Sequence, residues 1–84
     1  MYQVVITEPA IKELKKLDSV VKKKILKKLL ILQNNPFHNT KKLSGSIIGD
    51  YRFRIGDYRA IFDISGNRVV IHKIGHRRDV YKFS

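Results

Sequence analysis

Residues 51–64 read YRFRIGDYRAIFDI, and their first five positions alternate aromatic or aliphatic residues with arginine. Side chains along a strand point to opposite faces in turn. Tyr51, Phe53 and Ile55 therefore share one face of a strand, and Arg52 and Arg54 share the other. Gly56-Asp57 is a two-residue turn suited to a tight hairpin, which pairs Ile55 with Tyr58, Phe53 with Ala60 and Tyr51 with Phe62. The same register sets Arg54 across from Arg59 and Arg52 beside Ile61. One face of this hairpin is apolar and has to be covered. The other gathers three guanidiniums, with Asp63 as the only obvious counter-charge on that side. Like charges directly opposite one another destabilise a sheet, so the arginine face is expected to receive an anion. The guanidinium, with a fixed charge and a fork of donors, suits phosphate. The bland alternative is a solvated face with long side chains splayed apart.

Downstream, RVVIHKI (68–74) is a third strand after the loop SGN. A three-residue loop sets His72 across from Ala60 on the covered face; a two-residue loop turns it outward with the arginines. The strand is expected to end at Gly75, beside Tyr58 and Arg59, so that His76, Arg77 and Tyr81 arrive near the arginine face. Upstream, YQVVI (2–6) is a short apolar strand and TEPA (7–10) starts a helix, with Thr7 as N-cap. Ala10, Ile11, Leu14 and Leu17 follow at helical spacing. Asp18 or Ser19 caps a second helix with Val21, Ile25, Leu29 and Leu32 along one face, widened by Leu26 and Leu30. QNNPF (33–37) stops it, because Pro36 pushes Asn35 out of the helical region. A polar connection follows, with Leu43, Ile47 and Ile48 as anchors. The predicted fold is α+β in the order β-α-α-β-β-β, a helical hairpin packed on one face of a small antiparallel sheet. With no repeat or composition break, residues 1–84 form a single domain.

Composition narrows the function. Eighteen Lys and Arg against seven Asp and Glu give a net charge of +11 on 84 residues, and such an excess calls for a polyanionic partner. There is no cysteine, which removes thiol and zinc-ribbon chemistry and suits a reducing cytoplasm. The opening MYQVVITEPA has neither the basic nor the long apolar region of a signal peptide, and no apolar run nears the ~20 residues that span a bilayer. No His pair or His-carboxylate spacing suggests a metal, no cofactor is expected, and no glycine-rich phosphate cradle precedes a helix. What remains is phosphate-stabilising charge together with two groups able to move protons, His76 and Tyr81. That inventory fits metal-free RNA cleavage, in which the 2′-hydroxyl of the substrate is the nucleophile. A surface that only binds RNA carries the same residue types.

The segment YRFRIGDYRAIFDI (51–64), followed by VVIHKIGHRRDVY (69–81), resembles the RelE family of toxins from type II toxin–antitoxin modules. The resemblance extends over the whole chain. It implies a cytoplasmic ribonuclease that cuts mRNA in the ribosomal A site, inhibits translation and is neutralised by an acidic antitoxin segment. By analogy the paired basic positions fall on Arg52 and Arg54, and Arg59 holds the scissile phosphate. Arg77, with His76 before it, stabilises the transition state or the leaving group, and Tyr81 stacks on a base and orients the nucleophile. Arg78 adds to the RNA-binding set. The best-known members carry lysines where this chain has Arg52 and Arg54. A guanidinium stays protonated and cannot act as a base, which leaves Tyr81 or His76 for that role. Two alternatives share the scaffold: a ParE-like inhibitor of DNA gyrase, and a module that binds messenger or ribosomal RNA without cutting it.

Overall fold

The computed structural model describes residues 1–45 and 48–80; the expectations placed on Ile47 and Tyr81 lie outside the described residues. Strand β1 (Gln3–Ile6) leads into helix α1 (Glu8–Lys15) and helix α2 (Ser19–Leu29), which tightens into a 3-10 turn over Leu30–Gln33. Strands β2 (Thr40–Lys42), β3 (Tyr51–Ile55), β4 (Tyr58–Ser65) and β5 (Arg68–His76) follow. They form one five-stranded sheet in the order β1-β5-β4-β3-β2. The sheet is antiparallel, as the hairpin pattern predicts, except at one edge where β1 runs parallel to β5. None of the described helices is long and apolar enough to cross a membrane.

The core lies between the sheet and the two helices. Ala10 and Leu14 of α1, Ile25 and Leu29 of α2, and Leu32 meet Phe53, Ile55, Ala60, Phe62, Val69, Ile71 and Ile74. Leu26 and Leu30 do not widen this face; they are 39% and 57% exposed. Each sits one helical step around from Ile25 or Leu29, beyond the width a sheet this small can cover.

The caps differ in kind. Asp18, rather than Ser19, caps α2, its Oδ1 accepting from the amides of Val20 (2.9 Å) and Val21 (3.2 Å). Thr7 occupies the N-cap position of α1, but its hydroxyl donates to the carbonyl of Ile71 at 2.9 Å instead of capping. That bond ties the start of the helix to β5. Replacing Asp18 by Ala orphans two helix donors, and we expect a loss of about 1 kcal/mol. In thermal unfolding this is a fall of roughly 4–8 °C in midpoint for a domain of this size; an unchanged midpoint refutes the cap.

Beyond Ile6, β5 has no strand on its β1 side, and α1 takes over that open edge. Glu13 accepts from the amide of Ile74 (3.0 Å) and from Lys73 Nζ (2.8 Å). Glu13→Ala strands a half-buried N–H, with an expected cost of about 1–3 kcal/mol in urea denaturation. Glu13→Gln keeps an acceptor and is expected to lose less; equal losses for the two variants contradict the edge-capping role.

The β3–β4 register is the one the alternation predicts, pair for pair from Tyr51↔Phe62 to Ile55↔Tyr58. Gly56, at φ 58°, supplies the left-handed residue that the two-residue turn requires. Between β4 and β5 the turn is the two-residue Gly66-Asn67, which pairs Ser65 with Arg68. A bulge then separates the partner of Phe62, Ile71, from the partner of Ile61, Lys73. His72 is the extra residue, and its Nε2 lies 2.9 Å from Asp63 Oδ2. The other oxygen of Asp63 accepts from the amide of Asp50, tying the chain just before β3 to β4.

A candidate nucleic-acid interface

Alternation sends Arg52, Arg54 and Arg59 to the side of the sheet away from the helices, because Phe53, Ile55 and Ala60 are drawn into the core. Ile61 shares the arginine side and is fully buried there. The chain near Gly49 lies over it so closely that a methyl group on Gly49 would sit 3.0 Å from Ile61 Cγ2. Val80, 1% exposed, packs over Gly75. Apolar cover thus lies over Ile61 and Gly75 on this face, and Arg52, Arg54 and Arg59 gather on the side toward β2.

There they line a cleft of about 340 Å³ together with Phe37, Asn39, Thr40 and Lys41. That volume is in the range of small-ligand sites, roughly 300–1,000 Å³. Lys41 is the register partner of Arg52 and adds a fourth cation. The Arg59 guanidinium is oriented by its own turn, with one terminal nitrogen donating to the carbonyls of Gly56 (2.7 Å) and Tyr58 (2.9 Å). A cluster of fixed cations around one open cleft can neutralise a polyanion backbone at several points.

The residues after β5 are distributed differently. The strand runs one residue beyond Gly75, and His76 pairs with Tyr58. This puts the imidazole on the side of Tyr58, not with Arg59; the two rings meet edge-on at 5.5 Å. The expected delivery of His76 to the arginine face is corrected by this one-residue extension, since alternation inverts the face at each step. His76 Nδ1 also accepts from the amide of Arg78 at 3.2 Å. Arg77 stands at the β3–β4 turn: its amide donates to Asp57 O (2.7 Å) and its Nε lies 3.9 Å from Asp57 Oδ1. Arg59 and Arg77 therefore converge on the same turn. Neither Arg77 nor the exposed Arg78 lines the cleft.

Four lining residues escape the sequence reading, all from the 37–41 connection. TKK (40–42) has no apolar alternation, and becomes a strand only by pairing with β3. Asn39 adopts φ 48°, and its carbonyl accepts from the amide of Arg54 at 3.1 Å. The available signal was the Asn-Pro turn before Phe37, which marks a loop but not its destination.

The family model described as the ParE toxin of type II toxin–antitoxin system, parDE, matches residues 4–81. Toxin RelE3 of Methanocaldococcus jannaschii is 29% identical over 87 residues, covering 96% of this chain and 97% of that protein. The RelBE2 toxin–antitoxin complex of Mycobacterium tuberculosis contains a chain that superimposes with a TM-score of 0.82 at 28% identity, covering 90% of this chain and 98% of that one. The archaeal RelE–RelB complex of Pyrococcus horikoshii gives a TM-score of 0.77 at 29% identity, with 94% and 98% covered. With a basic cleft on the open face of a helix-covered sheet and a match along nearly its full length, this chain belongs to the ParE toxin family of type II toxin–antitoxin systems, within the RelE/ParE superfamily.

Proposed function

We propose that this protein is a ribosome-dependent endoribonuclease that cuts mRNA in the ribosomal A site without a metal and so halts translation in the cytoplasm. The observation that carries the reading is the convergence of Arg52, Arg54 and Arg59 on one open cleft. In the reaction the 2′-oxygen of the substrate bonds to the adjacent phosphorus and the bond to the 5′-oxygen breaks. The products are a 2′,3′-cyclic phosphate and a 5′-hydroxyl; one proton leaves the 2′-hydroxyl and one is delivered to the 5′-oxygen. Arg59 holds the scissile phosphate and, with Arg52 and Arg54, offsets the charge that builds on the phosphorane. Arg77, at the turn that Arg59 also contacts, assists the leaving oxygen, and Arg78 adds charge toward the RNA backbone. None of the cleft arginines can take the proton from the 2′-hydroxyl. Of the two groups able to move that proton, the imidazole of His76 faces Tyr58 on the other side of the sheet, and Tyr81 is assigned the step.

The test is translation in a cell-free extract followed by primer extension on the mRNA. Cuts positioned on codons support the reading; gyrase-linked DNA breaks with intact mRNA replace it. That second reading has one specific support, the ParE description of the matching family model. Occupancy of the ribosome without cuts leaves a binding module.

The regulator is an acidic antitoxin. Its support is the +11 charge and the fact that similar solved chains from Mycobacterium tuberculosis, Pyrococcus horikoshii and E. coli come from toxin–antitoxin complexes. The gene for a short chain with an acidic segment is expected beside this one, and co-expression of the two is expected to relieve growth arrest. Harmless expression of this chain alone contradicts both.

A further inference from the structure

Phe37 is a large apolar side chain left 56% exposed. Isolated exposed aromatics are common and need no function. This one lines the same cleft as the three arginines, and hydrogen bonds fix the backbone on either side of it. Asn35 Oδ1 accepts from the amide of Phe37 at 3.2 Å, and the amide of Asn35 donates to Ile31 O at 3.1 Å. The hydroxyl of Thr40 lies 3.2 Å from Pro36 O and 2.9 Å from His38 O, closing the loop on both sides of the phenyl ring. The ring meets Tyr51 edge-on at 5.9 Å, and Tyr51 stacks on Phe62 of the core at 5.4 Å. Tyr51 and Phe62 lie on the helix-covered side of the sheet, so the three aromatics run from the core outward to a residue that also lines the arginine cleft beside β2.

We propose that Phe37 is the platform on which one nucleobase of single-stranded RNA stacks while the arginines hold the neighbouring phosphates. This rests on the reading of the cleft as an RNA site and assigns it a second determinant that the arginines cannot supply. Cations grip a backbone whether or not a base is present; a flat ring rewards an unstacked base, and does so for any base identity. Because the loop is already tied down in the free protein, little ordering is left for binding to impose. The arrangement selects single strands, since a duplex keeps its base faces buried in its own stack.

The experiment measures binding of a 2′-O-methyl hexanucleotide, which lacks the attacking hydroxyl, at fixed salt by fluorescence anisotropy. A matched series carries a single abasic residue at each position in turn. The wild-type chain is expected to lose roughly tenfold in affinity at one abasic position. Phe37→Ala and Phe37→Leu are expected to lose a similar factor on the complete oligomer and nothing more at that abasic position, whereas Phe37→Tyr keeps wild-type behaviour. Phe37→Leu retains an apolar side chain near Tyr51, so its loss separates stacking from loop packing. If Phe37→Ala binds the complete oligomer as tightly as wild type while Arg54→Ala weakens it, the platform is overturned and the RNA cleft survives; the ring then belongs to a protein contact. Equal losses on complete and abasic oligomers also overturn it, as a change in the loop. If Arg54→Ala is without effect, or the wild-type chain does not bind, the RNA reading of the cleft fails and the platform fails with it.

Discussion

An Arg59→Ala variant in a translating extract is expected to cut mRNA roughly 10²–10³-fold more slowly than the parent chain, the usual effect of removing one preorganised donor from a developing oxyanion. Two observations make Arg59 the most consequential of the three. Its guanidinium is oriented by the carbonyls of Gly56 and Tyr58, so in the proposed reaction it needs no ordering before it would hold the phosphate. It also shares the β3–β4 turn with Arg77, which puts a second cation at that turn, outside the lining of the cleft. Arg59→Lys keeps the charge and loses the fork, and an intermediate rate is expected. The two hydrogen bonds to the turn contribute about 0.5–1.5 kcal/mol each, so the variant stays folded, and a thermal scan beside the cleavage assay verifies this. A folded Arg59→Ala protein that cuts at the parent rate removes Arg59 from the reaction.

The largest expected effect on stability comes from Phe62→Ala. Phe62 is fully buried in β4, the middle strand of the sheet, with Tyr51 stacked against it and both helices contributing to the same core. Truncating such a ring costs about 3–5 kcal/mol, and the lost aromatic pair adds about 0.5–1.5 kcal/mol. A small domain has a total stability of roughly 5–15 kcal/mol. The variant is therefore expected to unfold at a much lower urea concentration, or to be unfolded without denaturant. Its m-value is expected to stay near that of the parent, because the area exposed on unfolding changes little. A loss below about 1 kcal/mol would mean that the core closes around the gap, contrary to close packing at this position. Since Phe62 also supports the Tyr51–Phe37 chain, a folded remnant is expected, under the proposed stacking, to bind RNA more weakly than the parent although its arginines are unchanged.

Local pattern settles the β3–β4 hairpin completely. Period-two alternation and a two-residue turn with glycine leave a single register, because a slip of one residue would bury Arg52 and Arg54 and expose Phe53 and Ile55. The helices are legible for a similar reason: Ala10, Leu14, Ile25, Leu29 and Leu32 repeat at helical spacing and all are buried. The width of the covered stripe is not legible, as Leu26 and Leu30 show, since it depends on how much sheet lies beneath.

The sequence by itself determined the order of elements other than β2, the covered face and the gathering of Arg52, Arg54 and Arg59 on the other face, because each follows from contacts within a few residues or across one tight turn. Only the tertiary structure decided the rest. The β5 bulge that frees His72 for Asp63, the extra residue of strand that turns His76 toward Tyr58, and the recruitment of TKK (40–42) as an edge strand all depend on partners distant in the chain. A polar segment such as 37–41 has no periodicity of its own. It takes its shape from the unpaired edge of β3, and in doing so brings Phe37 and Lys41 to the arginines.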